Sequence, residues 1–320
     1  MKRYRYRGPR LGYQDRLQAN LTWYRQHFNE QRLKTPDGHL LRYSYQSGPG
    51  PRAAVIVVNG RTEYIEKYIE VLCDLHMDGV SYAIYDHRGQ GDSGRLLDDP
   101  EKGHIDRFDR YVSDLHMVVE TSREHFGTIP IHLLCHSMGG TIAWLYISEH
   151  PGKVASLILS APMFSIETGV GLPLFMVESI ARICCRNGMG DRYVATTGPF
   201  DHHMPFDNNV LTSDPERFAF NLFMSNAIPY APIGGPTYDW LCEAFSAMRK
   251  AKRVNGRIDC PAYFFAGSDD HVVDIASIER MAAGVNGVYR LYENARHELL
   301  MESQKMRNRM LDAIRAVIER

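Results

Sequence analysis

Every residue from Ala53 to Val58 is apolar, and the run is rich in Val and Ile. Short runs of this kind suit strands buried on both faces rather than strands with one wet face. Comparable runs recur at Ser81–Tyr85, Ile131–Cys135 and Val154–Ser160, then after a long gap at Ala262–Ala266 and Val288–Leu291. The segments between them follow a helical period instead. Residues 107–125 place Phe108, Tyr111, Val112, Leu115, Val118 and Val119 at i, i+3, i+4, i+7 spacing, one face of an amphipathic helix. Tyr64–Met77 and Met138–His150 have helical character, the latter closed by Pro151-Gly152. Residues 274–283 and a last helix with Met306, Met310, Ile314, Val317 and Ile318 on one face complete the set. Strand and helix in alternation predict βαβ units and a mostly parallel sheet, an α/β fold. Upstream, residues 11–28 read as a helix and 29–46 as a hairpin turning at Pro36-Asp37-Gly38, where Pro presets φ and Gly accepts positive φ.

The alternation stops at Pro162 and resumes only after about Gly256. The stretch between holds many Phe, Met, Gly and Pro residues, among them Pro229 to Pro236, and no buried-strand signal. The expected organisation is one α/β core built from 1–161 and 257–320, with residues 162–256 inserted as a helical cap over it.

Composition narrows the function. The 320 residues are 44% hydrophobic, enough for a sizeable core. Basic and acidic residues number 37 and 38 for a net charge of −1, which gives no global reason to expect a nucleic-acid partner. Locally, Lys2, Arg3, Arg5, Arg7 and Arg10 precede the first acid, Asp15. That cluster reads either as a solvated terminus or as a weak contact with an anionic lipid surface. No apolar run of about 7–15 residues follows it, as a signal peptide requires, and no run of about 18 apolar residues occurs. The expectation is a cytoplasmic protein, with peripheral contact at the inner membrane as an added reading. The six cysteines, Cys73, Cys135, Cys184, Cys185, Cys242 and Cys260, show no paired metal spacing and are expected to be reduced. Asp201-His202-His203 is a poor metal candidate, because adjacent histidines project apart and no third ligand follows at useful spacing.

The chemistry is expected at strand ends. Leu133-Leu134-Cys135-His136-Ser137-Met138-Gly139-Gly140 lies where a strand ends and a helix begins. A nucleophilic serine needs that sharp turn to lift its Oγ clear of the backbone, with small residues two positions to either side. Gly139 meets this, and Cys135 stands where the usual pattern has Gly. The backbone amide of Met138, at the helix N-terminus, can serve an oxyanion. A second donor is expected from the loop Asn59-Gly60-Arg61, through the Arg61 amide. With a serine on such a turn, an acid and then a histidine follow in chain order, each in a loop past a late strand. Those loops are Gly267-Ser268-Asp269-Asp270 and Tyr292 to Glu298. They offer His297 as base and Asp270 as acid, with Asp269 as rival and Asp274 as a helix cap. Asp86–Gly94 carries many charges but is expected to pin loops beneath the site.

Asp86–Gly94, His136–Gly140, Ser160-Ala161-Pro162-Met163 and the two late loops resemble the monoacylglycerol lipase and lysophospholipase branch of α/β-hydrolases, over about residues 29–318. Ile233-Gly234-Gly235-Pro236-Thr237-Tyr238-Asp239-Trp240, and Asn59-Gly60-Arg61-Thr62-Glu63 followed by Lys67-Tyr68, look like the bacterial lysophospholipase type. The resemblance implies a cofactor-free Ser-Asp-His triad of Ser137, Asp270 and His297, with Met138 and Arg61 as oxyanion donors and a cap over an acyl pocket. The expected reaction is hydrolysis of a single-acyl-chain lipid ester, first a lysophospholipid. Monoacylglycerols and small esters are the alternative substrates. An aminopeptidase, which needs an acidic site for a free amine, and a non-catalytic lipid-binding protein are further readings.

Overall fold

A computed structural model describes residues 12–169 and 171–320; the basic cluster at 1–10, expected to be solvated or lipid-facing, lies outside them. The chain opens with α1 (Tyr13–His27), a hairpin of β1 (Asn29–Lys34) and β2 (Leu40–Gln46), and β3 (Ala53–Val58). There follow α2 (Ile65–Leu75), β4 (Val80–Tyr85), α3 (Asp109–Phe126), β5 (Ile131–His136), α4 (Met138–Glu149) and β6 (Ser156–Ser160). After the gap come α5 (Leu174–Arg186), α6 (Pro215–Ala227), α7 (Tyr238–Arg253), β7 (Ala262–Gly267), α8 (Ile275–Ala283), β8 (Val288–Tyr292) and α9 (Gln304–Ile318).

Among the described residues the strands form one eight-stranded sheet in the order β1-β2-β4-β3-β5-β6-β7-β8. All pairs from β4 to β8 are parallel; β2 runs antiparallel to both of its neighbours. The central strands β3, β4, β5 and β6 are buried at every position, whereas edge strand β8 is largely exposed. Helices α3, α4, α7 and α8 pack one sheet face, and α2 and α9, with the end of α1, pack the other. Helix α4 has no wet side before its last turn: Ile142, Ala143, Trp144, Leu145, Tyr146 and Ile147 are all buried.

Helix α7 lies inside the stretch expected as a cap, yet it buries Trp240, Leu241, Ala244, Phe245 and Met248 in the main core against the sheet. It is the crossover helix that carries the chain from β6 to the parallel β7. Helix α6 starts with Pro215, capped by Asp214, which accepts from the Arg217 amide at 3.0 Å. Its Phe220 and Met224 form a small separate cluster with Leu17 and Tyr64. Helix α5 keeps Ala181 inward and leaves Phe175, Met176, Ile180 and Ile183 exposed.

Candidate active site

The parallel strands end in loops along one edge of the sheet, and the sequence-predicted residues lie in them. Strand β5 passes into α4 through Ser137, which adopts φ 49° and ψ −116°. A non-glycine residue there costs about 1–3 kcal/mol and persists only where its surroundings fix it. Its amide donates to the Ser160 carbonyl at 3.0 Å, and its own carbonyl accepts from Gly140 at 2.9 Å and Met163 at 3.0 Å. A Cβ on Gly139 would fall 2.1 Å from the Val58 carbonyl oxygen, so only glycine lets α4 pass β3 at this depth. Cys135 is 1% exposed within the main core, where its small side chain fits.

The loop after β7 presents two aspartates to different surroundings. Asp270 is buried; its Oδ1 accepts from the Val272 amide at 2.8 Å and the Val273 amide at 3.1 Å. Burial alone would raise its carboxyl pKa, but His297 and those two amides outweigh it and hold the group below its usual value. Asp269 faces solvent, with His271 at 3.0 Å and Arg296 at 3.4 Å. Asp274 caps α8 by accepting from the Ala276 amide at 3.0 Å. His297, in the loop after β8, donates from Nδ1 to Asp270 Oδ2 at 2.8 Å and accepts at Nε2 from the Ser137 hydroxyl at 2.9 Å. Ser137, Asp270 and His297 thus form one hydrogen-bonded chain, and Asp269 stands apart from it.

The loop after β3 lies against the nucleophile. A Cβ on Gly60 would fall 3.3 Å from Ser137 Cβ, so glycine permits the approach. The Arg61 amide donates to no acceptor among the described residues, and Met138, as first residue of α4, has no intrahelical acceptor for its amide. Gln90 braces this loop from the next one: its Nε2 donates to the Gly60 carbonyl at 3.0 Å and its Oε1 accepts from the Thr62 amide at 3.1 Å. Asp86 accepts from the amides of Ile65 (2.8 Å) and Asp92 (2.9 Å), and Arg88 pairs with Asp114 and Asp37, so this segment pins loops as its sequence suggests. The Arg61 guanidinium meets no carboxylate among the described residues. It donates to the Gly234 carbonyl at 2.9 and 3.1 Å and lies 5.3 Å from the Trp240 ring centre. Burial brings its pKa down to about 10, which leaves it cationic at neutral pH.

Sequence reasoning assigned no role to four buried charges beside this site: Glu63, Lys67, His136 and Glu298. Their signals in sequence are the motif that carries Glu63 and Lys67, the i, i+4 spacing of those two, and the adjacency of His136 and Glu298 to Ser137 and His297.

An open, mostly parallel sheet with its serine on a strained strand-to-helix turn, hydrogen-bonded to a histidine and an aspartate from the last two strand loops, defines the class: an α/β-hydrolase. The profile of the Hydrolase_4 family, described as serine aminopeptidase, S33, matches residues 49–304, and the chain belongs to that family. Lysophospholipase L2 of Escherichia coli K12 is 35% identical over 269 residues, covering 81% of this chain and 78% of that protein. Probable lysophospholipase L2 of Haemophilus influenzae is 30% identical over 275 residues, 85% of this chain and 86% of its own. Among solved structures, a soluble variant of monoglyceride lipase from Saccharomyces cerevisiae superposes with TM-score 0.69 at 19% identity, over 91% of this chain and 94% of its own. A carboxyl esterase from Bacillus coagulans reaches 0.76 at 18%, over 92% and 98%. At such identities these two establish the shared fold.

Proposed function

We propose that this chain hydrolyses the carboxylic ester of a single-acyl-chain lipid, first of all a lysophospholipid. The observation that carries the reading is the Ser137–His297–Asp270 chain at 2.9 and 2.8 Å. His297 takes the Ser137 proton as Oγ attacks the ester carbonyl; Asp270 holds the imidazole with Nδ1 protonated and stabilises the imidazolium. The amides of Arg61 and Met138 receive the oxyanion. His297 then protonates the leaving alkoxide and the acyl-enzyme forms. Water, deprotonated by His297, attacks the acyl carbonyl, releases the fatty acid and restores Ser137.

Support for the substrate class comes from the lysophospholipase names of the relatives that cover most of the chain. The Arg61 side chain adds to it: a half-buried cation without a carboxylate partner among the described residues suits a phosphate head group. The family description raises the aminopeptidase reading, which needs an acid for the substrate ammonium. The buried acids beside the triad, Glu63 and Glu298, already hold Lys67 at 3.0 and 2.6 Å, which favours esters. The test is purified protein on lysophosphatidylcholine, lysophosphatidylethanolamine, monoacylglycerols, short esters and amino-acid amides. Highest kcat/KM on lysophospholipids, falling when Arg61 becomes Met, is expected. Preference for amides overturns the reading, and preference for monoacylglycerols with an indifferent Arg61→Met variant moves it to the lipase alternative. In this proposal the part of 162–256 that precedes α7 supplies the covering cap, and the exposed face of α5 within it supports peripheral contact with lipid.

A further inference from the structure

Four buried charged side chains form one continuous line behind the triad. Glu298, next in sequence to His297, accepts from Lys67 Nζ at 2.6 Å. The same Nζ lies 3.0 Å from Glu63 Oε1. Glu63 Oε2 accepts from the Gly60 amide, from the Tyr68 hydroxyl at 2.8 Å and from His136 Nδ1 at 2.9 Å. The far nitrogen of His136, Nε2, points to the backbone carbonyl of His297 at 3.4 Å, and the two imidazole rings lie 4.8 Å apart. Glu63, His136, Lys67 and Glu298 are each 9% exposed or less.

The decisive feature is what His136 faces. Both ring nitrogens meet oxygen acceptors, a carboxylate on one side and a carbonyl on the other. A neutral imidazole has one N–H and leaves one of the two unserved; only the imidazolium serves both. The charges agree: with His136 protonated, two cations balance two carboxylates in a site where a net charge would be costly.

We infer that His136 is an imidazolium clamp that, with Glu63, Lys67 and Glu298, positions the catalytic His297. The line ties three loops that must stay in register: the one carrying Gly60 and Arg61, the turn carrying Ser137 and the one carrying His297. It gives a job to the Glu63 and Lys67-Tyr68 motif, which the triad leaves unused. Burial pushes the His136 pKa down, and Glu63 first, with Glu298, pushes it up further, against Lys67, so that the net shift is upward. His297, whose ring centre lies 4.8 Å from that of His136, needs to be neutral as base, so the two histidines act in opposite protonation states.

The inference rests on the proposed triad, and its test separates the two. In the wild-type protein, imidazole 15N spectra from pH 6 to 9, assigned with His136→Gln, are expected to show both His136 nitrogens protonated at pH 7.5. A neutral tautomer there overturns the clamp. With 4-nitrophenyl butyrate as probe, kcat is expected to follow a bell whose alkaline limb is the deprotonation of His136. Glu63→Gln removes the largest influence raising that pKa. It is expected to move the alkaline limb to lower pH and to cut kcat at pH 8 roughly 10²-fold with KM nearly constant, as for misplacement of reacting groups. An unmoved limb, or a loss of equal size at every pH, makes Glu63 merely structural and overturns the inference. Should Glu63→Gln fail to fold, Glu298→Gln and the wild-type spectra decide. A fully active Ser137→Ala variant would instead sink the triad while leaving the spectral result standing.

Discussion

Ser137 has the steepest dependence on single atoms. Its Oγ is the proposed reacting atom, and its strained backbone is fixed by three main-chain bonds that do not involve the side chain. Ser137→Ala is therefore expected to fold and to lose roughly 10⁶ in kcat, the scale at which a triad acting as a unit fails. Circular dichroism and ester turnover check it. The neighbouring aspartates offer a sharper comparison. Asp270→Asn places an amide where His297 needs an acceptor and is expected to cost on the order of 10⁴ in kcat. Asp269→Asn loosens two half-exposed pairs, with His271 and Arg296, and is expected to stay within about twofold, since exposed pairs contribute about 0–1 kcal/mol. The reverse ranking would make Asp269 the acid. In sequence the two adjacent aspartates are separated only by where the family resemblance places the acid, because the physical difference between them is burial. The line from Glu298 to His136 was less legible still. Its members span 236 positions, from 63 to 298, and meet only once the sheet brings three loops together.

Elements were the most legible level, since buried parallel strands announce themselves as apolar runs and helices by their period. The expected helix at 107–125 is α3 at Asp109–Phe126, and the strand expected from Val154 begins at Ser156. What sequence could not show was which partner each apolar helix has. Phe164, Trp240 and Phe245 look alike in sequence to Phe175 and Met176 as candidates for an acyl wall. The first three are spent on the main core, and the other two face outward on α5 with Ile180 and Ile183. This face is the element on which lipid contact can be tested. Phe175→Ser with Ile183→Ser is expected to reduce cosedimentation with anionic vesicles several-fold while turnover of a soluble short ester stays unchanged. Deleting residues 1–10 is expected to weaken the same binding only at low salt, where charge contacts are unscreened. Vesicle binding indifferent to both changes would remove peripheral contact from the account.

Across the whole molecule, stability should respond to pH through charges buried beneath the site. Asp86 is fully buried, and burial, with Glu66 adding to it, raises its pKa to about 7 against Arg42 and the amides of Asp92 and Ile65. A carboxyl whose folded pKa lies above its unfolded value near 3.8 favours the folded state fully below pH 4 and loses that contribution as pH rises through about 7. Asp86→Asn removes the titration together with one hydrogen-bond acceptor. The variant is expected to be less stable than wild type at pH 5 and to close the gap by pH 8, as read from Tm. A constant difference in Tm would show that Asp86 does not titrate between pH 5 and 8 and would overturn the prediction.

The largest-scale prediction concerns the substrate as a whole. If one acyl chain enters between core and cap, each added methylene removes a further increment of apolar surface from water, about 0.8 kcal/mol. For a lysophospholipid series of fixed head group, kcat/KM is then expected to rise by roughly fourfold per methylene until the space is full, and to level off there. Ser137 and His297 are buried, and in this proposal the chain reaches them where cap and core part. A second acyl chain has no matching wall in this proposal, and diacyl phospholipids are expected to be poor substrates. Measurements belong below the critical micelle concentration, so that chain length acts on the pocket rather than on aggregation. A profile flat in chain length would keep the fold and the serine chemistry but assign the enzyme to small esters.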